Sequence, residues 1–194
     1  MSTLQRILTA KRFALACHGN QMYGDFPYEY HLEKVQDVYR RRVTDEMVAF
    51  YGLTREILVI ALWLHDTIED TPATRAMIEA LFGTVVASIV FAVSDAKIEG
   101  ANRKLRHWGT DAVPGPYRLI PITPGATLVK LCDRIANMEA SVVASEKFTK
   151  GGHKLDMYKK EQTEFYQTLY VPHTPLESLW VHLNNLLDYI PGKE

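Results

Sequence analysis

Apolar positions recur along most of this chain at the three- and four-residue spacing of amphipathic helices. Leu4, Ile7, Leu8, Lys11, Leu15 and His18 place a stripe on a first helix, with Gly19 as its stop. A loop rich in Gly, Asn and Asp follows over 19–27. A second helix begins near Tyr28, with Leu32, Val35, Val38 and Tyr39 on its buried face. Thr44 caps a short helix that ends near Gly52. Thr54 caps the next, and Glu56 sits in its first turn, facing the positive dipole end. That helix carries the longest apolar run, residues 57–64, and reaches His65–Asp66. The run is far too short to span a bilayer, so it predicts a buried core helix.

Thr71–Pro72 reads as an N-cap and first-turn proline opening a helix to Phe82, stopped by Gly83. Residues 84–93 predict another apolar helix. Residues 94–124 break the pattern with Gly100, Gly109, Pro114, Gly115, Pro116, Pro121 and Pro124, and carry the basic group Arg103, Lys104, Arg106 and His107. They predict a long excursion with one short helix. Helix returns over 126–141 and 154–170. Thr174–Pro175–Leu176–Glu177 has capping-box spacing and opens a last helix to about Tyr189. Strand-like alternation is nearly absent, so the expected fold class is all-α, a helical bundle.

Composition narrows the class. A chain of 194 residues suits one compact domain, residues 1–194. A formal net charge of -1 argues against a nucleic-acid partner or an anionic membrane surface. The two cysteines, Cys17 and Cys132, are too few for a disulfide framework or a cysteine zinc site. A reduced, cytoplasmic setting fits them. The N-terminal thirteen residues have neither a long apolar run nor a small-residue cleavage site, so they do not read as a signal peptide.

Three groups carry chemistry. His65 and Asp66 stand at the inner end of a strongly apolar helix, where an imidazole and a carboxylate must be paired or metal-bound. One turn on come Glu69 and Asp70, at i+4 from each, and three carboxylates so close invite a divalent cation. Lys130, Asp133, Arg134 and Asn137 share one helical stripe, opposite the apolar Leu128, Leu131, Ile135 and Met138, and suggest a cleft lining. His31 follows Pro27–Tyr28. Two imidazoles and two carboxylates, His31, His65, Asp66 and Asp133, suit manganese, iron or zinc better than calcium or a pure magnesium site. Spacing alone does not make them converge.

The run LHDTIEDT at 64–71, with PYEYH before it, AVSD at 92–95 and VKLCDRIANME after it, resembles the hydrolase domain of RelA/SpoT-type alarmone enzymes. The small stand-alone alarmone hydrolases are the nearest in length. The resemblance implies an HD-domain helical bundle whose metal, usually manganese, is held by His31, His65, Asp66 and Asp133. It implies that Glu69 and Asp70 orient or activate the attacking water, and that Asn137 lines the nucleotide site. Lys130, Arg134 and Tyr158 are the accompanying substrate-binding candidates. The implied reaction removes the 3′-pyrophosphate of (p)ppGpp-like nucleotides, so the expected partner is a small nucleotide. The chain departs from the family at one place: where an Arg-Lys pair usually follows a His-x-Gly-Gln element, it reads Met22–Tyr23. Phosphate binding then falls to cations such as Lys130, Arg134, Arg103, Lys104, Lys159 or Lys160, and a (p)ppApp-like nucleotide or another nucleotide pyrophosphate is an alternative substrate. Rival readings are another HD-type nucleotidase, a deoxynucleoside triphosphohydrolase, and a non-catalytic nucleotide sensor.

Other residues read as scaffolding. His107, His153, His173 and His182 look structural or exposed, and His18 either ends its helix or sits beside the cleft. Arg40, Arg41 and Arg42 form a solvated face. Arg103, Lys104 and Arg106 are a basic loop or a substrate lid. Cys17 and Cys132 are small buried thiols.

Overall fold

The computed structural model describes residues 1–146 and 153–188. Helices α1 (Thr3–His18), α2 (Glu29–Arg42), α3 (Asp45–Phe50) and α4 (Arg55–Leu64) come first, with a two-strand hairpin, β1 (Met22–Tyr23) and β2 (Phe26–Pro27), between α1 and α2. Then follow α5 (Thr67–Asp70), α6 (Arg75–Phe82), α7 (Thr84–Val93), α8 (Arg103–Trp108) and α9 (Pro116–Leu119). A 3-10 turn over Ile120–Ile122 leads to α10 (Ala126–Glu146), α11 (His153–Leu169) and α12 (Glu177–Leu187). The bundle matches the expected all-α class, with the antiparallel hairpin as its only sheet among the described residues. No described helix is long and apolar enough to cross a membrane.

Two helices organise the core. The apolar run of α4 makes it helical and buried on nearly every side. It packs against α1, α2, α7 and α10. Leu58, Ile60, Leu62 and Leu64 are fully buried, each contributing roughly 1.5–3 kcal/mol of hydrophobic stabilisation. The Thr54 hydroxyl accepts the amide of Ile57 and fixes where α4 starts. The second organiser, α10, touches α2, α4, α7, α11 and α12. Its buried Leu128, Leu131, Ile135 and Met138 supply the apolar side of the stripe.

Several local expectations are corrected. The buried positions of α1 are Ala10, Ala14 and His18 rather than the leucine stripe, and Leu4 stays 65% exposed. Small alanines let α1 lie close on α4. Its start carries a reciprocal capping box between Ser2 and Gln5 that the pattern did not signal. The loop over 19–27 folds into the hairpin. Thr71–Pro72 does not open α6. The Thr71 hydroxyl donates to the Thr67 carbonyl at 2.6 Å and accepts the Ala73 amide, closing α5, and Thr74 caps α6. The 94–124 excursion holds two short helices and a 3-10 turn, not one helix. Thr174 is no cap either: Leu176 precedes α12, and the Glu177 carboxylate accepts from the Tyr170 hydroxyl and the His173 amide. Tyr189 lies outside the described residues.

Candidate active site

The inner end of α4 delivers the first candidate ligand. His65 is 1% exposed, and its Nδ1 donates to the Leu62 carbonyl at 2.8 Å. A carbonyl only accepts, so Nδ1 carries a proton and Nε2 is the ring nitrogen turned to the interior. The chain then breaks helical order at His65–Asp66 before α5. Glu69 and Asp70 are therefore not on a straight continuation of α4, although the Asp70 amide still reaches the Asp66 carbonyl at 2.9 Å.

Three segments converge here. His31 from α2 places Nε2 3.2 Å from His65 Nε2, 3.2 Å from Asp66 Oδ2 and 3.4 Å from Asp133 Oδ1. His65 Nε2 lies 3.0 Å and 3.6 Å from the same two oxygens. Metal–ligand bonds of about 2.1 Å set neighbouring ligands roughly 3.0–3.4 Å apart, so these separations fit one cation. His31, His65 and Asp133 form a buried group that could hold a metal ion, and Asp66 Oδ2 lies beside it, 3.2 Å from His31 Nε2 and 3.0 Å from His65 Nε2. Burial favours neutral rings, but Asp133 and Asp66 outweigh it at His31, and Asp66 and Asp133 at His65, raising both imidazoles. Burial also opposes the carboxylates. The His65 charge and the His31 hydrogen bond nevertheless hold Asp66 well below its ordinary range, and the Lys130 charge does so for Asp133.

A second layer aims the ligands. Asn137 donates to Asp133 Oδ1 at 2.5 Å and accepts from the Tyr23 hydroxyl at 2.8 Å. Lys130 Nζ lies 3.3 Å from Asp133 Oδ2. The Tyr28 hydroxyl donates to Asp66 Oδ2 at 2.6 Å, and its ring stacks on His18. Tyr23 stacks on His31 with centroids 4.8 Å apart. The sequence reading gave Tyr23 no role. Tyr28 was visible only as part of PYEYH.

These groups open on a cavity of about 300 Å³ whose lining includes His31, Asp66, Asp133, Glu69, Asp70 and Asn137. Glu69 Oε2 accepts the Asp95 amide at 2.9 Å, and burial pushes its carboxyl up to about 7. Asp70 Oδ2 accepts from Gln21 Nε2 at 2.8 Å, and Gln21 Oε1 pairs with His18 Nδ1. Lys130, Arg134 and Tyr158 also line the cavity, as does Arg103. Lys104, Lys159 and Lys160 lie outside the lining. His107 is buried and lines the cavity 3.7 Å from Asp95, with burial lowering its pKa to about 4. His182 pairs with Glu139, His173 is exposed, and the His153 side chain lies outside the described part.

No protein-family model matches the chain. Over 140 residues it is 33% identical to the human guanosine-3′,5′-bis(diphosphate) 3′-pyrophosphohydrolase MESH1, covering 71% of this chain and 70% of that protein. The zebrafish (Danio rerio) MESH1 is 31% identical over 141 residues, covering 68% and 67%. This chain belongs to the MESH1 family. A solved structure described as a metazoan orthologue of SpoT that hydrolyses ppGpp matches it over 93% of each chain, with a TM-score of 0.65 and 21% identity. At that identity the likeness shows the shared HD-type fold. Within this MESH1-family cavity, Tyr23 stands where the cationic pair is missing, and Lys154 Nζ lies 4.9 Å over its ring.

Proposed function

We propose that this chain is a divalent-metal-dependent nucleotide 3′-pyrophosphohydrolase acting on (p)ppGpp-like or (p)ppApp-like alarmones. The observation that carries the reading is the buried group of His31, His65 and Asp133, with Asp66 Oδ2 beside both rings, next to a cavity that Glu69 and Asp70 also line. Kinship with proteins named as guanosine-3′,5′-bis(diphosphate) 3′-pyrophosphohydrolases supports the substrate class. Manganese is the proposed ion, with zinc and iron as rivals for the same mixed nitrogen and oxygen donors. A divalent cation there supplies Lewis acidity toward water and phosphoryl oxygen.

The chain's own groups do the rest. Glu69 is held by the Asp95 amide through Oε2, leaving Oε1 to take a proton from the attacking water. Asp70, tethered by Gln21, aims that water. The water oxygen bonds to the phosphorus on the ribose 3′ oxygen, the 3′ O–P bond breaks, and the proton taken up by Glu69 returns to the ribose oxygen, which leaves as a hydroxyl. The products are pyrophosphate and a nucleotide with a free 3′-hydroxyl. Lys130 and Arg134 balance phosphate charge from the cavity lining. Asn137 holds Asp133 in place at the substrate edge, and Tyr158 walls the nucleotide.

The test is a nucleotide panel incubated with manganese and scored for its inorganic product. Pyrophosphate released only from 3′-pyrophosphorylated nucleotides is the expected result. Triphosphate or single phosphate as the product would assign the site to another HD-type reaction. Binding without turnover would make the chain a sensor.

A further inference from the structure

Four lysine or arginine side chains line the cavity: Arg103, Lys130, Arg134 and Lys154. Carboxylates outnumber them in the same lining, so a polyanion that enters depends on whatever positive charge the protein has not already answered. Three of these cations spend part of their charge on the protein. Arg103 pairs with Glu161 through two nitrogens, and Arg134 Nη1 lies 3.3 Å from the same carboxylate. Lys130 Nζ lies 3.3 Å from Asp133 Oδ2 and donates to the Val93 carbonyl at 3.4 Å. Lys154 differs. Among the described residues no carboxylate pairs with it, and its Nζ rests 4.9 Å over the Tyr23 ring. A ring face attracts a cation but leaves the ammonium N–H donors free for an oxygen. That ring is itself fixed at the candidate metal ligands. It stacks on His31 with centroids 4.8 Å apart, and its hydroxyl donates to Asn137, which donates to Asp133 Oδ1. Lys154 also stands in the first turn of α11, where the helix dipole adds positive potential.

We propose that Lys154 binds the terminal phosphate of the substrate's 3′-pyrophosphate. The inference rests on the 3′-pyrophosphohydrolase reading and adds a substrate-binding residue to it. On that reading the phosphorus attacked lies at the group of His31, His65, Asp66 and Asp133, and the terminal phosphate is one bridging oxygen away. A cation carried on a ring that stacks on His31 is placed to meet it. The ammonium moves off the ring face and gives its N–H donors to phosphate oxygens, a charge-assisted contact stronger than a neutral hydrogen bond. The bond that breaks is on the ribose side, so the terminal phosphate keeps its charge throughout. Lys154 therefore binds substrate and transition state alike, which lowers KM and leaves kcat unchanged.

The experiment measures steady-state kinetics with manganese for the unaltered chain, Lys154→Met and Lys154→Arg. Two guanosine 3′-pyrophosphates serve as substrates, one with a 5′-hydroxyl and one with a 5′-diphosphate. Lys154→Met keeps a long side chain and drops its charge. It should raise KM about tenfold for both substrates alike, with kcat within about twofold. Competitive inhibition by inorganic pyrophosphate, which has no nucleoside and no 5′ group, should weaken by about the same factor. Lys154→Arg keeps the charge and should stay within about threefold of the unaltered KM. The melting temperature of Lys154→Met should match that of the unaltered chain, because no ion pair is lost. An unaltered KM in Lys154→Met overturns the proposal. So does a rise confined to the 5′-diphosphate substrate, which would put Lys154 at the other end of the nucleotide. Pyrophosphate inhibition equal in the unaltered chain and Lys154→Met, or Lys154→Arg as weak as Lys154→Met, overturns it too. Absence of pyrophosphate from both substrates with the unaltered chain overturns the 3′-pyrophosphohydrolase reading itself.

Discussion

Glu69, the proposed base, shows how one side chain can be set against stability for chemistry. A carboxyl pushed up to about 7 from 4.5 is a usable proton acceptor near neutrality. The base acts when deprotonated, so kcat/KM should fall on the acid side with an apparent pKa above the ordinary glutamate value. Glu69→Gln should erase that limb and lower kcat by roughly 10²–10⁴-fold, while elemental analysis still finds the metal. The same shift works on folding with the opposite sign. An acid whose folded pKa is raised binds its proton more tightly in the native state, so its contribution to stability is lost as pH rises from 4.5 toward 7. Melted at pH 7 with a chelator present, Glu69→Gln should be more stable than the unaltered chain by on the order of 1–3 kcal/mol. Asp66→Ala is the counterpart: it removes a ligand oxygen and the partner of both rings, so metal content and turnover should both vanish. The motif strings made these residues legible. Tyr23 and Gln21 were not, because each acts on a group far away in sequence, and no local spacing marks a tyrosine that will stack on a histidine.

At the scale of elements, capping chemistry decided where the sequence reading held and where it slipped. Thr44 and Thr54 were read as N-caps, and both hydroxyls accept an amide three residues on. Thr71 has the same signature, yet its hydroxyl is engaged with the carbonyl behind it, and the cap moves to Thr74. Sequence cannot rank two candidate caps three residues apart when both are threonine. The 94–124 stretch was read as an excursion from its glycines and prolines, and two of those glycines have a structural purpose. Gly109 has φ +67, and a Cβ there would lie 2.2 Å from both the Gly115 amide nitrogen and the Val113 carbonyl oxygen. This close crossing sets α9, and with it Tyr117, against the cavity. Gly109→Ala should destabilise the protein by about 1–3 kcal/mol, read by thermal or urea melting. It should raise KM more than it lowers kcat, because α9, whose Pro116 and Tyr117 line the cavity, moves while His31, His65, Asp66 and Asp133, carried by other segments, stay put.

For the whole molecule, the architecture follows from two helices that cannot be exposed. The apolar run of α4 must be buried, and the half-apolar α10 must lie against it, so His65 and Asp133 meet wherever those helices do. The all-α class was plain from the 3.6-residue period, and this pairing was implicit in it. The arrival of His31 was not, since it depends on how α2 packs on both α4 and α10. The account stands on four side chains from three separate segments closing around one cation. Anomalous diffraction from crystals grown with manganese tests this most directly. The account predicts one strong peak per chain bonded by His31, His65, Asp66 and Asp133 at about 2.0–2.2 Å. A manganese peak bound elsewhere, with those four groups hydrogen-bonded only to one another, would contradict it.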